Sequence, residues 1–345
     1  MKRKSWGILF LSILLIIATG CGAGGNQGGE KGEAFSAGLV TDTGGINDES
    51  FNQSAWDGME KAKKDLDAKI KYLESKRDED YLPNLTRFAR EKQDIIWGVG
   101  FKFNKAIPEV ADQFPDHKFG IVDDNLGGKI PDNVVAVTFK EHEGSFLMGV
   151  IAGSMTKTDK VGFIGGISSP LIKKFEVGFR AGVQAVNPKA KVTVVYAESF
   201  TDVAKGRSLA SNMYNDGADI IYHAAGGVGK GLFDEVKTRE KGKYWAIGVD
   251  LDQSKLAPDH TLTSMVKRVD VAVFDIMKDM KENDKFPGGK QVELGLEEDA
   301  VGPAETSDKH VPDKIMKKVE DYKRQIIDEK IEVPSNEQEL KKFKS

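Results

Sequence analysis

Residues 37–64, AGLVTDTGGINDESFNQSAWDGMEKAKK, decide how the chain is to be read. A short apolar run, Gly38-Leu39-Val40, ends at Thr41-Asp42. A glycine turn follows (Thr43-Gly44-Gly45), then Ile46 and the polar cluster Asn47-Asp48-Glu49-Ser50. From Phe51 the apolar residues fall at helical spacing: Phe51, Ala55, Met59 and Ala62, with Trp56 beside them. The pattern predicts a strand, a loop and a helix, with Asp48 or Ser50 as N-cap, because a short side-chain oxygen satisfies an orphan helix N–H. Asp42 and Phe51 then lie at a strand's carboxyl end and a helix's amino end, where open α/β sheets bind ligands. Taken alone, a structural β–α unit with a solvated loop explains it better, since fold does not imply function.

The same unit recurs along the chain. Strands are expected at 70–74, 94–98, 117–123 and 133–139, with helices over 81–92, 103–113 and 141–155. A second series then begins: strand 160–164, a Gly165-Gly166 turn and a helix over 173–186 containing Phe175, Phe179 and Val183. Strand 191–196, helix 202–216 and strand 219–223 lead to the glycine loop AGGVGKG at 225–231, with a helix from Leu232. Strand 244–250 ends at Asp250, and LTSMVK, ending at Lys267, is strand-like, followed by a helix over 269–281. A late strand at 291–296 and a charged helix at 314–330 complete the pattern, and 332–345 reads as peripheral. Alternating strands and helices argue for parallel sheets. Two such series predict two similar α/β lobes facing a cleft, with the strand and helix after Thr261 returning the chain to the first lobe.

The 345 residues suggest about two domains, enough to bury ample core without disulfides or metals. Lys+Arg 50 against Asp+Glu 54 gives −4, and roughly −7 without Lys2, Arg3 and Lys4, so no nucleic-acid surface is indicated. Those three cations precede an apolar stretch from Trp6 to Ala18 that is too short to span a membrane. Ala18-Thr19-Gly20-Cys21 resembles a bacterial lipobox, although Ala18 stands where Leu is usual. Residues 1–20 therefore read as a lipoprotein signal peptide, Cys21 as the lipidated mature N-terminus and 21–34 as a flexible tether. Cys21 is the sole cysteine, which excludes intramolecular disulfides and a cysteine nucleophile in the folded body.

Gly226 to Gly231 invites a phosphate-loop reading and fails it twice: Ala224 stands at the first glycine position and Gly231 where Ser or Thr is required. A turn bringing backbone close to a small neutral ligand, or a tight turn with no ligand, remains. The five histidines show no zinc-ligand spacing, and no nucleophile elbow is present. Neither a cofactor nor an enzymatic activity is expected. Asp42, Asp123 and Asp250 each close an expected parallel strand, which jointly favours a polar, hydroxyl-bearing ligand held by charge-assisted hydrogen bonds. Phe51 and Phe175 fall early in corresponding helices, where an aromatic from each lobe could sandwich a flat ring. Tyr222 competes with Phe175 for that place, while Trp56 and Trp97 read as core or edge residues.

TDTGGINDESFNQ, FEVGFRAGV (175–183), IIYHAAGGVGKG (220–231), IGVDLDQ (247–253) and LTSMVKRVDVAV (262–273), in that order, resemble the basic membrane protein family. These are lipoprotein substrate-binding components of ABC transporters, several of them purine nucleoside receptors. The resemblance implies a type I periplasmic-binding-protein fold: two Rossmann-like lobes with parallel sheets joined by three crossovers. It divides the chain into 35–140 plus 262–290, 141–261 plus 291–333, and a tail at 334–345. It also implies a base stacked between aromatics of the two lobes and carboxylates on ribose and base, with a lysine nearby. The matching positions are Asp42, Asn47, Phe51, Asp123, Phe175, Tyr222, Gly227, Asp250 and Lys267, with Asp124 an alternative to Asp123 because one residue of register decides which faces the cleft. The expected protein is a monomeric receptor on the extracytoplasmic face of a bacterial membrane, anchored through Cys21, that passes guanosine, inosine or adenosine to permease subunits. A sugar or quorum-signal receptor on the same fold, or a regulatory lipoprotein feeding no transporter, is the alternative.

Overall fold

The computed structural model describes residues 34–344; the signal-peptide, Cys21 and most tether assignments lie outside them. The chain opens with β1 (Ser36–Thr41), α1 (Phe51–Leu66), β2 (Lys69–Glu74), α2 (Tyr81–Arg90), β3 (Ile95–Val99), α3 (Ala106–Gln113), β4 (Lys118–Val122) and β5 (Val134–Phe139). After α4 (Glu141–Met155) come β6 (Lys160–Gly165), α5 (Pro170–Val186), β7 (Lys191–Tyr196), α6 (Val203–Asn215) and β8 (Ile220–Ala224). Then follow α7 (Val228–Val236), β9 (Trp245–Asp250), β10 (Thr261–Lys267), α8 (Val269–Asn283), β11 (Lys290–Leu294) and β12 (Val301–Pro303). The chain ends on α9 (Asp313–Ile327) and α10 (Glu337–Leu340).

These strands make two six-stranded sheets, ordered β11-β5-β4-β3-β1-β2 and β12-β10-β9-β8-β6-β7. The first is parallel throughout; in the second only β12 runs antiparallel, against β10. Central strands β3, β5 and β8 are buried at every residue, as continuous apolar runs covered by helices on both faces should be. The two orders correspond place for place, so β4 matches β9 and β5 matches β10. The α/β fold with two parallel-sheet lobes is thus as expected.

The chain crosses between lobes after β5, after β10 and after β11. The first crossover sends α4 onto α5 and the second sends α8 onto α1. Helices α4 and α5 meet at glycines: a Cβ on Gly182 would lie 2.0 Å from the Phe146 carbonyl oxygen, and one on Gly178 would lie 2.2 Å from that of His142. Backbone-to-backbone approach this close leaves no room for any side chain.

Strand membership differs from the expected division at two places. Residues 262–267 belong to the second sheet, where β10 pairs with β9, so the crossover falls between β10 and α8 rather than before β10. Residues 291–294 belong to the first sheet, where β11 pairs with β5. An edge strand such as β11 carries few buried residues, so its composition does not say which sheet it joins. The tail is also less peripheral than expected: Leu340 is buried, the Phe343 ring meets Phe146, and Arg180 Nη1 donates to Glu337 Oε1.

Candidate functional site: the cleft between the lobes

The carboxyl ends of both sheets open onto one cleft, with about 590 Å³ of space when its open mouth is included. The first lobe contributes Asp42, Asp48, Phe51, Asn52, Gly100, Phe101 and Asp123. The second contributes Leu171, Phe175, Phe200, Gly226, Gly227, Asp250 and Lys267.

Asp123 follows β4 and Asp250 ends β9, the matching strand, and both adopt left-handed backbone conformations, with φ of 70° and 65°. Such conformations cost about 1–2 kcal/mol outside glycine, Asp and Asn being the usual exceptions. They turn the chain out of the sheet at the cleft floor. Asp124 is instead used in its own turn, accepting the Leu126 N–H at 2.7 Å.

Lys267, at the end of β10, is 1% exposed and donates from Nζ to both Asp123 oxygens at 2.6 Å and to Glu141 Oε1 at 3.2 Å. Its ammonium also lies 5.1, 4.9 and 5.6 Å from the ring centres of Phe51, Phe139 and Phe175, within cation–π range. Burial alone would draw the ammonium down, but Asp123, Glu141 and Asp250 raise it above its ordinary value, so it stays charged. Burial pushes Asp123 up to about 6 even with Lys267 beside it. Glu141 overcomes its burial because it has two cations, Lys267 and Lys174, and is held below its ordinary value.

Asp250 has no such partner at bonding distance. Burial pushes it up to about 7, offset in part by Lys267 and by Ser50, whose Oγ donates to Oδ2 at 2.5 Å. Ser50 thus occupies the N-cap position of α1 without capping it. Asp48 does the capping: its Oδ1 accepts from the N–H of Ser50 and Gln53, and its Oδ2 from that of Asn52. Asp42 is raised by burial, against the Gly44 N–H and the Asn52 amide that donate to its Oδ1.

Seven expected positions therefore meet in the cleft: Asp42, Phe51, Asp123, Phe175, Gly227, Asp250 and Lys267. Two do not. Tyr222 is wholly buried inside the second lobe, its hydroxyl 3.0 Å from Ser145 Oγ and its ring against Phe163 and Phe179. It lies two residues short of the end of β8, on the face toward the α4–α5 layer. Asn47 is exposed and takes part only through its carbonyl, which accepts from Lys230 Nζ at 2.7 Å.

Cleft residues that pattern reading passed over are Asp48, Asn52, Phe101 and Phe200. Phe101 opens a single 3-10 turn (Phe101–Asn104) and Phe200 sits in a loop, so no periodicity flags either. Their one signal is position, just after β3 and after β7. They face each other from opposite lobes with ring centres 6.4 Å apart. Gly226 and Gly227 pack under the Phe200 backbone, its carbonyl 3.1 Å from where a Gly227 Cβ would be, and α7 starts at Val228, earlier than expected.

Lobe-to-lobe hydrogen bonds gather on residues 47–50. Besides Ser50–Asp250 and Lys230–Asn47, Gln253 Nε2 donates to the Glu49 carbonyl at 2.7 Å, and Lys255 pairs with the Glu49 carboxylate at 3.1 Å. Among the described residues no acidic or histidine cluster could hold a metal ion, and no helix is long and apolar enough to cross a membrane.

Comparison with known proteins places this geometry. Residues 35–337 match the family described as ABC transporter substrate-binding protein, PnrA-like. The chain is 44% identical to the CD4+ T-cell-stimulating antigen of Listeria monocytogenes, over 97% of this chain and 99% of that protein. It is 36% identical to the ABC transporter nucleoside-binding protein BmpA of Lactococcus lactis, over 97% of this chain and 100% of that one. A solute-binding protein of an ABC system from Aeropyrum pernix superposes with a TM-score of 0.80 at 25% identity, covering 89% of this chain and 96% of that one. The chain belongs to the PnrA-like family of ABC transporter substrate-binding proteins and is a solute-binding receptor, not an enzyme.

Proposed function

We propose that this family member is an extracytoplasmic receptor that closes on a purine nucleoside and delivers it to ABC permease subunits. The carrying observation is the composition of the cleft. It offers phenylalanines from both lobes, four carboxylates, and one cation, Lys267, already held by Asp123 and Glu141. With the one lining cation among the described residues so paired, the cleft suits a neutral ligand with a flat apolar face and several hydroxyl or N–H donors. Phe51 supplies one stacking face, and Phe200 or Phe175 the other. Asp250 receives ribose hydroxyls, with Lys267 beside it, while Asp42 and Asp123 face base or sugar edges. The Lactococcus relative's name, a nucleoside-binding protein, agrees with this ligand class. The lipobox-like Ala18 to Cys21 supports anchoring through a lipid on Cys21.

The test is a calorimetric titration with nucleosides, free bases and pentoses, beside mass spectrometry of freshly purified, denatured protein. Guanosine, inosine or adenosine should saturate the site while free ribose does not. Saturation by pentose alone would replace this reading with a sugar receptor. Phe51→Ala should weaken nucleoside binding by about 1–3 kcal/mol, the scale of one base–aromatic stack.

A further inference from the structure

Gln253 follows β9 and is 2% exposed. Two backbone partners of fixed role decide how its amide is turned. The Val249 N–H donates to Oε1 at 2.9 Å, and Nε2 donates to the Glu49 carbonyl at 2.7 Å. Exchanging the amide atoms would set donor against donor and acceptor against acceptor. His223 completes the arrangement, with its Nε2 2.9 Å from Oε1. Burial draws the ring down to about 4, against the Gln253 hydrogen bond, so near neutral pH it carries one N–H. Oε1 can only accept, so that hydrogen is on Nε2. Nδ1 is left as a buried acceptor without a partner among the described residues.

The surroundings are shaped to this amide. The Gln253 N–H donates to Ser264 Oγ at 3.1 Å, and a Cβ on Gly248 would stand 2.7 Å from Gln253 Oε1. His223, Val249 and Ser264 belong to β8, β9 and β10 of the second lobe, whereas Glu49 lies in the first-lobe loop before α1. Three of the four bonds thus stay within one lobe, and only the bond from Nε2 to Glu49 crosses between lobes. The three internal bonds do not depend on the first lobe, so the donor stays aimed when the lobes separate. Lys255, which also reaches Glu49, is exposed and must give up rotamer freedom to do so. Gln253 has already given it up, which lowers the cost of the contact.

From this geometry we infer that Gln253 is a preset latch of lobe closure, a positioning residue aimed from within the second lobe at the Glu49 carbonyl so that the next residue, Ser50, meets Asp250. Gln253 is not among the cleft-lining residues, so the latch acts on every ligand alike. It forms once the lobes meet, and therefore governs how fast a bound ligand leaves and not how fast it arrives.

The experiment is stopped-flow measurement at pH 8 of association and dissociation of guanosine and inosine, used as probes, with wild type and Gln253→Glu. Small-angle scattering of both ligand-free proteins accompanies it. The variant, ionised at that pH, keeps an acceptor for Val249 and His223 and turns the crossing donor into an oxygen facing the Glu49 carbonyl. Losing a hydrogen bond so that a buried group is left unpaired shifts an equilibrium by about tenfold. Dissociation of both nucleosides should quicken by at least about that factor, with association within about twofold of wild type. An unchanged dissociation rate, or a change confined to one nucleoside, overturns the inference. So does slowed association with a lowered urea midpoint, which would mark general loosening of the lobe. Should Gln253→Glu not fold, Gln253→Met, of similar volume and without a donor, makes the same test. If neither nucleoside binds, the nucleoside reading fails by itself, and the ligand-free radius of gyration decides the latch: it should be larger in the variant, and an equal radius overturns it.

Discussion

Asp250 shows how one buried carboxylate couples the cleft to pH. Its folded value of about 7 stands above the ordinary 3.8 because burial disfavours the charge. A raised acid favours the folded state fully below about 3.8, and that advantage is lost as pH rises through about 7. Asp250→Asn should therefore gain unfolding free energy over wild type as pH rises from 4 to 7, by up to about 4 kcal/mol at 1.36 kcal/mol per pKa unit, and the difference should level off above pH 8. Chemical denaturation of the ligand-free protein at several pH values measures it. A difference that does not vary with pH would place the proton elsewhere. At this scale much of the cleft was legible, because strand-end carboxylates and early-helix aromatics follow from where a β–α unit must end. Tyr222 and Asn47 were misplaced for different reasons. β8 is buried at every residue, so it shows no alternation to say which face Tyr222 takes, and a polar loop does not reveal which of its members turns inward.

Among the elements, α4 and α5 carry the sharpest packing constraint. An alanine methyl at Gly182 would stand 2.0 Å from a backbone oxygen, so the helices would have to separate. Overpacking of this kind costs about 1–3 kcal/mol, and because backbone cannot rotate aside, Gly182→Ala should fall at the upper end. Gly302→Ala, whose new methyl meets nothing within 4 Å, should stay within about 0.5 kcal/mol of wild type. Urea unfolding midpoints would show the contrast. The type and order of most elements were readable from hydrophobic period, but the three-residue β12 was not. The sheet that β10 and β11 join was not, since pairing is decided by contacts between distant segments that a single periodic stretch does not record.

Across the whole molecule, a short loop joins the buried Lys267–Asp123 pair in holding the two lobes together. Residues 47–50 receive Lys230, Asp250, Gln253 and Lys255 from the other lobe. Removing Ser50 Oγ and Lys230 Nζ together takes away two hydrogen bonds of about 1 kcal/mol each, a shift of roughly thirtyfold toward open forms. The Ser50→Ala/Lys230→Ala protein should have a larger radius of gyration without ligand by small-angle scattering, and should return to the wild-type value when nucleoside is saturating. An unchanged radius in the ligand-free variant would show that these bonds do not hold the lobes.

The interleaved crossovers also set an order of assembly. The first sheet needs β11, and its helical layer needs α8, both encoded after the whole of β6 to β10. A nascent chain therefore cannot finish its first lobe until residue 294 has been made, by which point β6 to β10 of the second sheet are already in hand.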